Sequence, residues 1–184
     1  MERLEIDISL PIVPNHGLGG MELGKNIGEY ELIWNGKEIC LFSFLHSEDY
    51  RLDGFNAWYR FPHFSMQVGV DVRTGKIFQI RATRGYLGSL FGKIHIGMKA
   101  QEAFELVPAL YYDEMDEAIY YRSHEEGVAL EFAPEETDPL VDQVPSLTIE
   151  AISVFAPALH CFSGSWMNPV EGNGDRHEWH EDKP

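Results

Sequence analysis

A pattern near the start of the chain returns 73 residues later. In "GGMELGKN" (19–26), Gly19 and Gly24 bracket Met21 and Leu23; in "GKIHIGMK" (92–99), Gly92 and Gly97 bracket Ile94 and Ile96 at the same spacing. Both stretches alternate as a short half-buried strand does. A second pair follows at an offset of 72: "GKIFQIRA" (75–82) and "LTIEAISVF" (147–155) each place isoleucines three apart, Ile77 and Ile80, then Ile149 and Ile152. Such a recurrence suggests two related halves, each opening and closing with a strand. The expected organisation is one domain over 1–160, with pseudo-repeats at 15–90 and 91–157, followed by a polar tail at 161–184.

The first of these stretches also has the outline of a phosphate-binding loop. Gly19, Gly24 and Lys25 fit it, but Asn26 stands where a Ser or Thr hydroxyl would hold Mg²⁺. Glu22 would place a carboxylate against the phosphates, and Gly28 weakens any helix that follows. The glycines are better explained by a turn and a close backbone approach.

The remaining patterns are mostly those of strands. "LEIDISLPIVP" alternates and reads as a first strand. Asn35-Gly36 marks a hairpin. "AWYRFPHFSMQVGVDVRTGKIFQIRAT" reads as three strands with a turn at Thr74-Gly75, and Val68, Val70 and Val72 alternate with polar or small neighbours. One segment, "KAQEAFELVPAL" (99–110), has helical spacing through Ala100, Ala103, Phe104 and Val107, and Pro108 ends it near Val107. "EAIYYRS" and "GVALEFA" form a second hairpin across "HEEG", and "SLTIEAISVFAP" is a last strand. The fold class expected is α+β, a mainly antiparallel sheet with one clear helix.

Charge divides the chain. Residues 1–100 carry 11 basic and 11 acidic side chains, whereas 101–184 carry 3 basic and 19 acidic, so the second part holds the whole formal charge of −16. Nucleic acid needs clustered Lys and Arg and is not the expected partner. An anionic membrane is not the expected surface on the same ground, and no apolar run approaches the roughly 18 residues of a span. A basic protein is the natural complement of such a field. The acidic N-terminus lacks the basic start of a signal peptide, so a cytoplasmic location is expected.

No constellation specifies a reaction, and no catalytic residue, metal site or cofactor is assigned. Cys40 and Cys161 read as small buried hydrophobes. His177 and His180, three apart in the tail, could meet a metal only weakly. His46, Glu48 and Asp49 form a polar loop of ordinary composition. The run "FNAWYRFPHF" (55–64) interleaves Phe55, Trp58, Tyr59, Phe61 and Phe64 with Arg60 and His63, either as alternate core residues or as interface anchors. In "YYDEMDEAIYY" (111–121), tyrosines bracket four carboxylates, a combination suited to a basic partner.

The stretch "GYLGSLFGKIHIGMKAQEAFELVPALYYDEMDEAIYYRSHEEGVALEFAP" with "IEAISVFAP" resembles small bacterial immunity proteins of polymorphic toxin systems, including contact-dependent growth inhibition. The likeness spans about residues 68–157 and lies in a Gly-Met turn before a short helix, an acidic Tyr-rich strand pair and high acidity. It implies a cytosolic protein that occludes one cognate toxin with a basic surface. The residues expected to make that contact are Asp113, Glu114, Asp116, Glu117, Glu125 and Glu126, with Tyr112 and Tyr120 as anchors. Two other readings stand beside it. One is a small-molecule-binding module or enzyme with a pocket between two sheet halves, using His46, Asp49 and His95. The other is a subunit of a larger assembly.

Overall fold

The computed structural model describes residues 6–30, 40–43, 56–61, 64–133 and 139–156. A two-stranded sheet pairs β1 (Gly17–Leu18) with β2 (Met21–Glu22). The main sheet has eight strands: β3 (Cys40–Ser43), β4 (Asn56–Phe61), β5 (Met66–Asp71), β6 (Lys76–Thr83), β7 (Leu110–Asp113), β8 (Ala118–Tyr121), β9 (Val128–Glu131) and β10 (Ala151–Phe155). Every pairing between them is antiparallel. The single described α-helix, α1, runs Ala100–Leu106 and buries Ala100 and Ala103. It stops at Val107, the residue that Pro108 biases away from helical backbone. The α+β class and antiparallel sheet expected from the sequence are those observed.

The strand order, β3-β4-β5-β6-β10-β9-β8-β7, is two four-strand meanders joined at β6 and β10. An offset of 72 carries Arg81 onto Ser153, and the register sets those two residues opposite each other. A local two-fold axis therefore passes between them, normal to the sheet.

The offset seen in the sequence is also a hydrogen-bond pattern. Gly24 N donates to Ile77 O and Gly97 N to Ile149 O, both at 2.8 Å. Ile77 N donates to Lys25 O and Ile149 N to Met98 O, both at 2.9 Å. Ile27 N reaches Gly75 O at 2.8 Å, and Ala100 N reaches Leu147 O at 3.0 Å. Even side chains follow: Asn26 Nδ2 donates to Thr74 O at 3.1 Å, and Lys99 Nζ to Ser146 O at 2.8 Å. The "GGMELGKN" stretch is thus a latch onto the β5–β6 turn. Gly24 and Gly97 hold positive φ, 76° and 92°, at equivalent points of the latch. A Cβ on Gly19 would come within 2.9 Å of Met66 Sδ.

The core lies on one face of the sheet. Met66, Val68, Ile80, Ile119, Leu130 and Ile152 project from the strands against Met21, Leu90, Ile94 and the α1 alanines. The opposite face carries a smaller cluster of Ala118, Tyr120, Ala129 and Phe155. Val68 and Val70 are in the core as their alternation required, but Val72 has passed into the turn and is exposed. In the aromatic run, Phe61 is buried, and Trp58 meets Phe78 edge-on with ring centroids 5.6 Å apart.

The first expected strand did not form. Asp7 Oδ1 accepts from Ser9 N at 2.8 Å and Ser9 Oγ at 2.6 Å, and Leu10 N bonds back to Asp7 O. These local bonds compete with extended pairing. Among the described residues its strand-like contacts include two isolated bridges, Ile12 beside Leu90 and Val13 beside Gly17, and backbone bonds from Leu87 N and Gly88 N to Ile8 O. The Asn35-Gly36 hairpin lies outside the described residues.

Candidate interaction site

β7 is an edge strand, so the β7–β8 hairpin closes one side of the sheet. In β7, Leu110 and Tyr112 face the core while Tyr111 and Asp113 face the other way. The turn between the strands is tied from within. Asp113 Oδ1 accepts from Met115 N at 2.9 Å and from Asp116 N at 3.3 Å, and the Tyr120 hydroxyl donates to Asp116 Oδ2 at 3.0 Å. Glu117 takes a left-handed φ of 51° to bring the chain back into β8.

This arrangement sorts the residues expected to meet a partner. Tyr120 is fully buried, with its ring 6.1 Å from that of Tyr111. It supports the turn and is not a surface anchor, which corrects the expectation. Burial first, and then the Asp116 charge, push its phenol far above the usual range. Tyr111 is raised too, by burial and then by Asp113 and Asp116. Tyr112 is half-buried on the core side, 6.3 Å from Phe132. Asp113 and Asp116 serve the turn. Glu114 is exposed.

Glu125 and Glu126 sit in a 3-10 turn between β8 and β9. That turn is at the other end of β8 from residues 114–117, about 13 Å away at 3.3 Å per strand residue. It packs back on the N-terminal segment, where Asn15 Nδ2 donates to Glu125 O at 3.0 Å. The carboxylates that run together in the sequence therefore form two groups, because a hairpin alternates its connections between opposite ends of the sheet.

The group at the tip of β7–β8 gains other neighbours. The register places Ile119 alongside Leu130, so that Ala118 and Glu131 fall at the same end of their strands, with Glu131 alongside Ala151 and Ala151 alongside Thr83. Glu131 and Glu150 thus join the Asp113–Glu117 turn at one end of the sheet. Glu131 pairs with Arg81 at 2.6 Å and Glu150 with Arg84 at 2.5 Å. Six carboxylates are thus set against two guanidiniums and, beside Glu150, the Lys99 ammonium on Thr148, an excess of negative charge at this end. Met115 stands at its tip, 86% exposed. Charge dominates this stretch of sequence and masks Met115. The available signal was an apolar residue in the middle of a turn-length acidic run.

A polar cluster marks the junction of the two meanders, on the face away from the core. Ser153 Oγ donates to Glu131, Gln79 Nε2 donates to Ser153 Oγ at 3.1 Å, and Arg81 Nη1 reaches Gln67 Oε1 at 3.5 Å. Gln79 and Ser153 are buried. Arg81 Nε is buried with no hydrogen-bond partner among the described residues. These residues lie scattered over four strands, and only the register assembles them.

His95, on the turn before α1, is exposed. His46, Asp49, His177 and His180 lie outside the described residues. Among the described residues no group of three His, Cys, Asp or Glu side chains is placed to hold a metal ion, and no helix is long and apolar enough to cross a membrane.

No family model matches the chain, and no curated protein matches it. Among solved structures it is similar to the crystal structure of the uncharacterized protein YfeY from Escherichia coli. That match has 13% identity, covers 78% of this chain and 98% of the other, and has a TM-score of 0.50. A likeness at that identity concerns the fold alone.

Proposed function

We propose that the chain is an immunity or inhibitor protein that acts in the cytoplasm by covering the basic cleft of a cognate toxin domain. The observation that carries this reading is the gathering of excess carboxylates around the β7–β8 tip, where a turn tied by its own hydrogen bonds holds Glu114 and Met115 toward solvent. A turn fixed before contact loses little conformational freedom on binding. An apolar residue framed by acids suits a pocket rimmed by Lys and Arg, with the charges steering encounter and the methionine filling space.

The test is protection from the toxin. The candidate partner is a basic C-terminal toxin domain, to be sought in the reading frame immediately upstream and co-expressed with this chain in a sensitive host. Growth should be restored by the wild-type chain and restored poorly by the Glu114→Lys/Met115→Asp variant. Both positions are solvent-facing, so the variant should retain its fold. Equal protection by the two would remove the hairpin tip from the interface.

A second reading has its own support in the polar cluster at the meander junction. There Arg81 and Glu131 are a quarter exposed or less, beside two buried polar side chains. Turnover in a generic hydrolase panel, lost on Arg81→Met, would favour a small-molecule site over protein binding.

A further inference from the structure

We propose that Met115 is a modification site, oxidised by peroxide to its sulfoxide. The described methionines differ sharply in access to solvent. Met21 and Met66 are 1% exposed and Met98 7%, all within the core, whereas Met115 is 86% exposed. Its thioether stands clear of the sheet, while its backbone N–H is held by Asp113 Oδ1. The sulfur is therefore presented on a fixed turn with open approach.

The step is a two-electron oxidation. The sulfur lone pair attacks one peroxide oxygen; the S–O bond forms, the O–O bond breaks, and the proton on the attacked oxygen passes to the departing one, which leaves as water. The carboxylates of the turn repel anionic oxidants and leave neutral hydrogen peroxide unhindered. The product places a polar, chiral sulfoxide where an apolar tip had been. Because the side chain is not packed in the core, the fold does not depend on which form is present. The bearing of this change on partner contact rests on the binding reading above; the chemistry itself needs no partner.

The experiment treats the full chain with hydrogen peroxide and follows each methionine by peptide mass spectrometry. Met1 and Met167, outside the described residues, are scored separately. Met115 should oxidise about ten-fold or more faster than Met21, Met66 and Met98, as its exposure requires. The singly oxidised protein should keep its unfolding midpoint, and methionine sulfoxide reductase should restore the starting mass. Met115→Leu should abolish the fast phase. Oxidation of Met115 at the rate of the buried methionines, or a fall in the midpoint on its oxidation, would overturn the proposal. Neither outcome depends on whether a toxin is bound, so this idea and the binding reading fail separately.

Discussion

Glycines that look alike in the sequence do different work in the fold. Gly69 has ordinary extended backbone, and its missing Cβ leaves room for the Phe78 ring, whose nearest atom would be 2.6 Å from an added methyl. Gly24 has open space around it but a φ of +76° that suits glycine. Replacing each with alanine separates the two causes. Gly69→Ala should cost about 1–3 kcal/mol by overpacking, much of it recovered in the double variant with Phe78→Leu. Gly24→Ala should cost about 1 kcal/mol through backbone conformation, with no such coupling to Phe78. Urea unfolding of the three single variants, Gly69→Ala, Gly24→Ala and Phe78→Leu, and of the two doubles with Phe78→Leu checks this. Equal coupling at both sites would show that the Phe78 contact is not the cause. The glycine spacing was legible in the sequence, but whether a given glycine answers a neighbour or a torsion was not, because the neighbour comes from another strand.

Elements were legible where apolar residues recurred at a regular spacing. The α1 spacing and the β5 alternation fall in this class, and Pro108 marked the helix end. The N-terminal segment alternated equally well, yet the Asp7–Ser9 bonds turned it aside, since a short-range acceptor reaches its donor without a partner strand. β7 was hidden for another reason: with tyrosines on both faces, its pattern has no polar side to read. The junction cluster was hidden because it spans β5, β6, β9 and β10. Its hydrogen bonds and ion pair tie both meanders, so Glu131→Gln should leave Arg81 poorly compensated and destabilise the sheet by about 1–3 kcal/mol. The double variant Arg81→Met/Glu131→Leu should recover part of that loss. Chemical denaturation measures both, and a neutral Glu131→Gln would mean the pair does not hold the junction.

Across the whole molecule, the two meanders share a backbone plan and differ in charge. The offsets of 72 and 73 residues appear as paired hydrogen bonds around the β6–β10 axis, so the plan was visible in the sequence as spacing. The charge imbalance was visible as well. Its placement was not: the fold divides one acidic run between two ends of the sheet and brings Glu131 and Glu150 to the hairpin tip. Of the expected contact residues, Glu114 is left on the exposed turn, Tyr120 is inside, and Glu125 and Glu126 are at the far end. Register and strand direction decide all of this, and neither is written in a local stretch of sequence.

The most direct test is the rate of association between this chain and a basic toxin domain that it protects against, measured as ionic strength rises. A negatively charged docking end should give a rate constant that falls by about ten-fold or more between low and physiological salt, with Glu114→Lys both slower and less salt-dependent. A rate that stays flat with salt, or is indifferent to Glu114→Lys, would contradict the account.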